Sequence, residues 1–472
     1  MKQFYRSFFI ACIFSLVGQT TFGQDNYKFE NFGNKSILLN GNVTGSVADL
    51  GATFYNPARL ALIENPGFTI NAKLYELQEV KVEDFLGNGF DVSDSDFNGL
   101  PSMVAGTFKI KSLPGHVFAY SFISRQRYES DVDFDTGLVE SDITDLYDGE
   151  ELFSGRVILD RKIKDEWIGV SWATQLKTNF SVGASLFLST YENSGYNRTR
   201  YTAFTQEETS IIYNRETGFS QKNYGIIGKL SAAWTLPKAD LGLTIHLPEL
   251  GIVNEGSFRY EESLAGGGAE NDRFTFNNFD ELDSTRRTAW GVSAGTGLKF
   301  GKHTVHLNGS WHGKINEWES IEVPPLESET GDAPNLRLAT ELKDVFNFGV
   351  GADFYLSPKF DLYASFSTDN SPVVKNTTLV DVLNRDGEDI NLSTDYNHFG
   401  FGINMISKWA DLTAGAVYSR GQTDFISNID FPLAEQEDIG IASIEIIRWR
   451  FVFGIEVHVF NKAKKDLGVE EE

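Results

Sequence analysis

Val345-Phe346-Asn347-Phe348-Gly349-Val350-Gly351-Ala352-Asp353-Phe354-Tyr355-Leu356, closed by Ser357-Pro358-Lys359 and resumed at Phe360, decides the fold. The even positions are oily, and the odd ones are small or polar apart from Val345 and Tyr355. Side chains alternate across a strand, so this segment offers one face to hydrocarbon and one to a wet or packed interior. A helix would repeat its apolar residues at three and four, which the period of two excludes. The Ser-Pro-Lys break followed by Phe360, Leu362, Ala364 and Phe366 reads as a tight hairpin. The same grammar returns where Trp290, Val292, Ala294, Leu298 and Phe300 oppose Gly291, Ser293, Gly295, Gly297 and Lys299, and where Trp449, Phe451, Phe453 and Ile455 oppose Arg448, Arg450, Gly454 and Glu456.

Extended outward, the pattern gives about fourteen strands, near 67–76, 101–110, 116–130, 153–176, 180–204, 211–236, 239–262, 286–300, 303–324, 338–356, 360–369, 395–407, 410–424 and 445–460. Six short turns alternate with seven mostly longer, polar connections. A soluble β-sandwich also alternates, but it does not make short and long connections take turns. The expected class is all-β: a transmembrane antiparallel barrel whose chain ends and short turns share the periplasmic side. Several strands exceed the roughly nine to eleven residues that cross hydrocarbon, so the wall is expected to continue outside the membrane. Trp167, Trp172, Trp290, Trp311, Trp409 and Trp449 fall mostly near strand ends, where interfacial girdles form.

The first residues read as an export signal. Lys2 and Arg6 precede an apolar run from Phe8 to Val17, and Thr21 and Gly23 supply small residues before a cleavage point at Gln24. No later stretch approaches the roughly twenty apolar residues of a membrane helix. Cys12 lies inside the leader, and its surroundings make a poor lipobox, so the mature chain has no thiol chemistry. Without the leader, 39 basic face 66 acidic side chains, a balance that argues against nucleic acid as a partner. Many acids cluster at Asp131, Asp133, Asp135, Glu140, Asp142, Asp145, Asp148, Glu150 and Glu151. A solvated, self-repelling loop is the simpler reading, and a divalent-cation site bridging lipid headgroups is the alternative.

The organisation is then a signal peptide at 1–23, an N-terminal plug at 24–66, a barrel at 67–460 and a charged tail at 461–472. The plug segment has no strand pattern. Its Gly41, Gly45 and Gly51 permit tight geometry, and Asn56-Pro57 is a turn signal suited to capping a short helix from Ala58 to Leu62. The many glycines on inward strand faces leave room for it.

No serine-hydrolase elbow, zinc-protease motif, phosphate loop or mature cysteine appears, so neither enzyme activity, cofactor nor metal is expected. His398 and His458 sit on inward faces and suit a lumenal hydrogen-bond network better than a metal site; a hydrolase built on lumenal Ser and His stays open on spacing alone.

The run from Gly45 to Ala61, centred on Phe54-Tyr55-Asn56-Pro57-Ala58, resembles the hatch of the FadL/TodX outer-membrane transporters. Arg59 stands where that family's next residue is apolar. Leu241 to Pro248, and Leu342 to Phe354 continuing to Asp369-Asn370-Ser371-Pro372-Val373, are similar to later segments of the same family. The resemblance implies a fourteen-stranded barrel in the outer membrane of a Gram-negative bacterium, surrounded by its lipids. Phe54, Tyr55, Asn56, Pro57 and Ala58 would gate the passive passage of long-chain fatty acids or other hydrophobic small molecules, without a cofactor. In that family cargo leaves sideways through a kink in the third strand; here 116–130 holds neither Gly nor Pro. A connection at 263–285, carrying Leu264, Phe274, Phe276 and Phe279, is the candidate groove where ligand first arrives. The alternative function is an adaptor subunit of a secretion or surface-attachment system, with a protein partner on the outer loops.

Overall fold

The computed structural model describes residues 26–63, 67–83, 92–141, 151–205, 209–329, 336–374, 394–429 and 438–457. The stretches read as a leader and a charged tail, His458, Phe460 and the acids Asp142, Asp145, Asp148 and Glu150 fall outside them.

The strands are β1 (Phe68–Glu83), β2 (Val92–Phe108), β3 (His116–Asp135), β4 (Val139–Ser141), β5 (Glu151–Lys177), β6 (Phe180–Phe204) and β7 (Ser210–Thr235). There follow β8 (Ala239–His246), β9 (Leu250–Ala265), β10 (Arg273–Leu282), β11 (Gly291–Phe300), β12 (His303–His312), β13 (Ile315–Ile321) and β14 (Leu338–Leu342). The last are β15 (Val345–Ser357), β16 (Phe360–Asp369), β17 (Asp395–Ile406), β18 (Ala410–Ile429) and β19 (Asp438–Val457). Sequence neighbours pair antiparallel around the sheet, and β19 returns to β1 from Phe68↔Val457 to Glu83↔Ser443, which closes it. Three wall strands come in pieces. β8 and β9 both pair with β7, while β10 pairs with β9 and β11 with β8; β4 extends β3 along β5. Counted this way the wall is a closed antiparallel barrel of 14 strands.

The alternation sorts the faces as expected. In β15, Phe346, Phe348, Val350, Phe354 and Leu356 are exposed outward, whereas Val345 and Asn347 are buried inward. Matching outward residues include Leu186, Leu188, Leu241, Leu243, Phe399, Phe401, Phe451 and Phe453, which together give the barrel an apolar coat. Trp290, Trp311 and Trp409 are exposed, but Trp167 turns inward and is buried, so it belongs to no interfacial girdle.

Three expectations change. The segment read as a groove-bearing loop at 263–285 is largely strand: β9 runs to Ala265, and β10 carries Phe274, Phe276 and Phe279. The stretches read as the upper parts of the ninth and tenth wall strands leave the wall and pair with each other as β13 and β14, a separate two-stranded sheet. Asp131, Asp133 and Asp135 lie in β3, and Asp133 takes a two-pronged bond from Arg156 on β5 at 2.8 and 2.5 Å. The long ribbons of β5, β6 and β7, of 27, 25 and 26 residues, carry the wall far past any bilayer.

The ladder is uneven around the wall. β15 and β16 pair from Gly349↔Ser367 to the turn, while β2 and β3 pair only from Met103↔Ile123 to Phe108↔Phe118. Above Ile123, β3 keeps its bonds to β5 after a bulge at Arg125, and β2 keeps its bonds to β1.

The core is lumenal. Phe32, Ile37, Leu38, Leu39, Val43, Val47, Leu50, Phe54, Tyr55 and Leu60 of the N-terminal segment pack against Met103, Ile123, Trp167, Phe187, Ile227, Tyr363 and Val452 of the wall. The N-terminal segment thus supplies one half of this cluster and the wall the other, and the hydrophobic effect holds the two together.

Candidate functional site

Residues 26–63 cross the lumen and bond to strands on every side. They contain helix α1 (Asn34–Leu38), helix α2 (Ala52–Tyr55) and a 3₁₀ turn, Pro57–Leu62. The segment is first folded on itself. The carboxylate of Asp49 accepts from Ser36 N, Ser36 Oγ and Gly51 N, each at 2.9 Å. Gly33 and Gly41 have φ of 87° and 67°, a left-handed region that a glycine enters without strain.

The Phe54–Ala58 run is where this fold meets the wall, and all five residues come together. Asn56 Oδ1 accepts from Ala58 N at 3.1 Å, capping the 3₁₀ turn as expected, and Asn56 Nδ2 donates to Thr44 O at 2.7 Å and to Ala232 O of β7 at 3.2 Å. Ala58 N also reaches Ser231 Oγ at 2.8 Å, and Ser181 Oγ donates to Ala58 O at 2.8 Å. Lys229 Nζ donates to Phe54 O at 2.8 Å, and Thr244 Oγ1 to Tyr55 O at 2.8 Å. Pro57 presses on Gly183, where a Cβ would stand 2.6 Å from the Pro57 carbonyl carbon. The inward glycines have the purpose read from the sequence: a Cβ on Gly242 would lie 2.1 Å from Thr44 O. Arg59, the departure from the family pattern, reaches Asp240 at 3.5 Å and donates through Nε to Val47 O at 3.2 Å.

On the opposite side the segment is pinned by charge. Arg448 Nη2 and Arg450 Nη1 approach Glu30 at 2.5 and 3.2 Å, both guanidinium groups donate to Phe29 O, and Arg448 also bonds Glu76. Lys28 N donates to Asp369 Oδ1 and Lys28 Nζ to Asn42 Oδ1, both at 2.9 Å. Burial pushes the Lys28 ammonium down to about 8, with Asp369 opposing the shift. His398 bonds Ser419 Oγ at 2.7 Å and faces Asp369 at 3.4 Å, a hydrogen-bond network of the kind its inward position suggested.

Above Phe54 and Tyr55 a cavity of about 90 Å³ remains. Pockets for drug-sized ligands start near 300 Å³, so this space does not hold an extended acyl chain while the segment is docked. Its wall reaches the breaks in the seventh and eighth strands through Leu247, Thr288 and Ala289. Beside it, Arg286 bridges Asp165 and Glu249 at 2.8 Å each, all three buried, which draws both broken strands inward. The groups proposed for ligand arrival do not converge. Leu264 is buried and Phe279 packs against an inner cluster with Phe258 and Tyr260, while Phe274 and Phe276 point outward. Arg125, Lys229 and Arg286 went unread in the sequence; a long cation at an inward strand position was the available signal.

No protein-family model matches the sequence, and no curated protein does. Solved structures do. A Pseudomonas aeruginosa FadL homologue superposes with a TM-score of 0.57 at 13% identity, over 93% of this chain and 100% of its own. The P. putida toluene transporter TodX gives 0.53 at 13% identity over 90% and 98%, and the CymD monoaromatic hydrocarbon channel 0.50 at 13% over 90% and 97%. At such identity the likeness is one of architecture: this chain has the fold of the FadL homologue and of TodX along nearly its whole length.

Proposed function

We propose that the protein is a passive channel for hydrophobic small molecules in the outer membrane of a Gram-negative bacterium, with residues 26–63 as its gate. The observation that carries this reading is the N-terminal segment bonded across the lumen of a barrel with an apolar coat. Hydrophobic cargo crosses a polysaccharide layer poorly, and a shielded path through a protein wall spares it rehydration. Phe54, Tyr55, Asn56, Pro57 and Ala58 form the hinge between gate and wall. The gap above Ile123, between β2 and β3, is the side opening through which cargo reaches lipid. Exposed Phe274 and Phe276 offer cargo a first apolar contact outside. Long-chain fatty acids belong to the substrate range only if the segment moves, because the docked cavity is too small for them. No step in this scheme needs a catalytic group.

The test is uptake of labelled oleate and of an alkylbenzene by cells making the protein, beside Asn56→Ala and a deletion of 26–63. The reading expects uptake above that of barrel-free cells and altered by both changes. Equal uptake in all four removes it. The long charged ribbons of β5–β7 favour, as a second reading, a protein docked on the outside. A stoichiometric partner captured from gently solubilised membranes, with no uptake, would favour it.

A further inference from the structure

We propose that the wall opens to the membrane a second time, between the free edge of β9 and the chain that joins β10 to β11, and that hydrophobic cargo passes between lumen and lipid there. The proposal rests on the channel reading and adds a route distinct from the gap between β2 and β3.

The ladder stops where there is chain enough to continue it. β9 pairs with β10 as far as Gly256↔Leu282, and β8 with β11 from His246↔Gly291, so residues 247–255 face residues 283–290 with no ladder between them among the described residues. Nine residues stand against eight, a near match in length. The first stretch keeps its other partner, since Leu250 to Glu255 pair with β7 from Ile226 to Lys222. The second turns into the lumen. Arg286 bridges Asp165 of β5 and Glu249 at 2.8 Å each, and its guanidinium lies 4.0 Å from the centre of the Tyr191 ring. Thr285 N donates to Ser320 O at 2.9 Å and Trp318 Nε1 to Thr285 O at 3.1 Å, so β13 holds the same chain from the lumenal side. The bonds that cross the gap involve side chains: Ser284 Oγ donates to Glu255 O at 3.1 Å, and Glu249 N to Thr288 Oγ1 at 2.6 Å.

The bare edge shows in the burial. Beyond Gly256 the strand alternates as a wall does, but from Leu250 to Glu255 every residue is exposed. Gly251 and Asn254 pair with the buried, inward Gly225 and Asn223, and Leu250 and Val253 with the outward Ile226 and Tyr224, so the stretch is open on both faces.

The gap joins an interior space to an apolar exterior. Leu247 packs over Gly228 on the outer face, where a Cβ on the glycine would lie 2.9 Å from Leu247 Cδ1, and Leu247 also lines the lumenal cavity with Thr288 and Ala289. Outside, direct cross-strand pairs link Leu250 to Ile226, Leu188 and Ile168, and Leu250, Leu188 and Ile168 are all exposed. An unpaired edge is costly in such a coat, and a strand bears it where the lumen reaches its backbone. Exposed Leu250, Ile252 and Val253 form a lip that a hydrophobic molecule can leave for lipid without meeting water. The cavity of about 90 Å³ is too small for cargo while residues 26–63 are docked, so the route is used when they move.

The test is alkylbenzene uptake by cells making the full-length protein with a cysteine introduced at Ile252, before and after labelling with a bulky maleimide. Two openings in parallel share the flux, so the label on Ile252→Cys should cut uptake by about half. The same label on Phe401→Cys, outward in the fully paired part of the wall, should leave uptake as it was. Val253→Cys, on the same lip, serves if Ile252→Cys does not fold. A label that changes nothing on the lip, or that lowers uptake equally on Phe401→Cys, overturns this opening and leaves the channel. No uptake by the unaltered protein removes the channel reading and this route with it.

Discussion

The β15–β16 hairpin and the β2–β3 hairpin belong to the same closed sheet, yet they are built differently. β15–β16 is paired from Gly349↔Ser367 to its turn, and at Gly349 and Gly351 its inward face is small enough for the Asn42 and Leu39 side chains of the N-terminal segment to lie against it. β2–β3 holds only six pairs, and where they stop Arg125 bulges inward to bond Asn26 and Tyr27. In hydrocarbon an unpaired backbone group is costly, so a ladder is given up only where lumen or protein can satisfy the strands. The difference is one of backbone: the β15–β16 ladder is continuous beneath the N-terminal segment, whereas Arg125 reaches that segment from a bulge beside which the β2–β3 ladder stops.

Cysteine cross-linking draws the contrast most sharply. Phe366 and Phe399 are directly paired, with rings 5.1 Å apart, so cysteines there should oxidise almost completely. Cysteines at Ser102 and Ser124, the positions next beyond the last β2–β3 pair, should stay reduced. Ready oxidation of the second pair would erase the opening.

A lipid-facing charge separates the sectors by a smaller amount. Val350 faces outward in mid-strand of the paired sector, and Val350→Arg should cost about 2–4 kcal/mol of folding stability in bilayers. Phe122→Arg, on the lip of the gap, can reach lumenal water and should cost clearly less. Equal losses in a reversible unfolding assay would mean that the two walls are equally sealed.

Much of this was legible. The fourteen alternating stretches correspond one to one with the wall positions, because a face that meets hydrocarbon must be apolar at every second residue. Asn56 announced its cap because only a short polar side chain before Pro57 serves there. What could not be read has a physical reason. β13 places Ile315, Trp318 and Ile321 three residues apart, a break in the period of two that is too short to show which strand is the partner, so the departure of β13 and β14 from the wall was hidden. The bulge at Arg125 needs no Gly or Pro, so composition gave no mark of it. Phe274 and Phe276 sit among acids beyond Gly266, Gly267 and Gly268, and looked like loop because a ribbon standing in water tolerates charge on both faces.

The smallest predicted effect concerns the hold of the N-terminal segment on the paired sector through Lys28. With its docked value near 8 and the ordinary 10.5 when released, the released segment binds more protons between those limits. Docking should therefore tighten as pH rises from about 8 to about 10.5, and it should be weakest below 8. Protease accessibility of the 26–63 segment should fall over that range, and Lys28→Met should flatten the curve.

The central claim is that residues 26–63 close the lumen. Planar-bilayer conductance of the intact protein, set beside a form lacking those residues, tests it most directly. The account predicts a silent intact barrel and steady, open currents after deletion. Equal conductance in the two would show that the segment closes nothing.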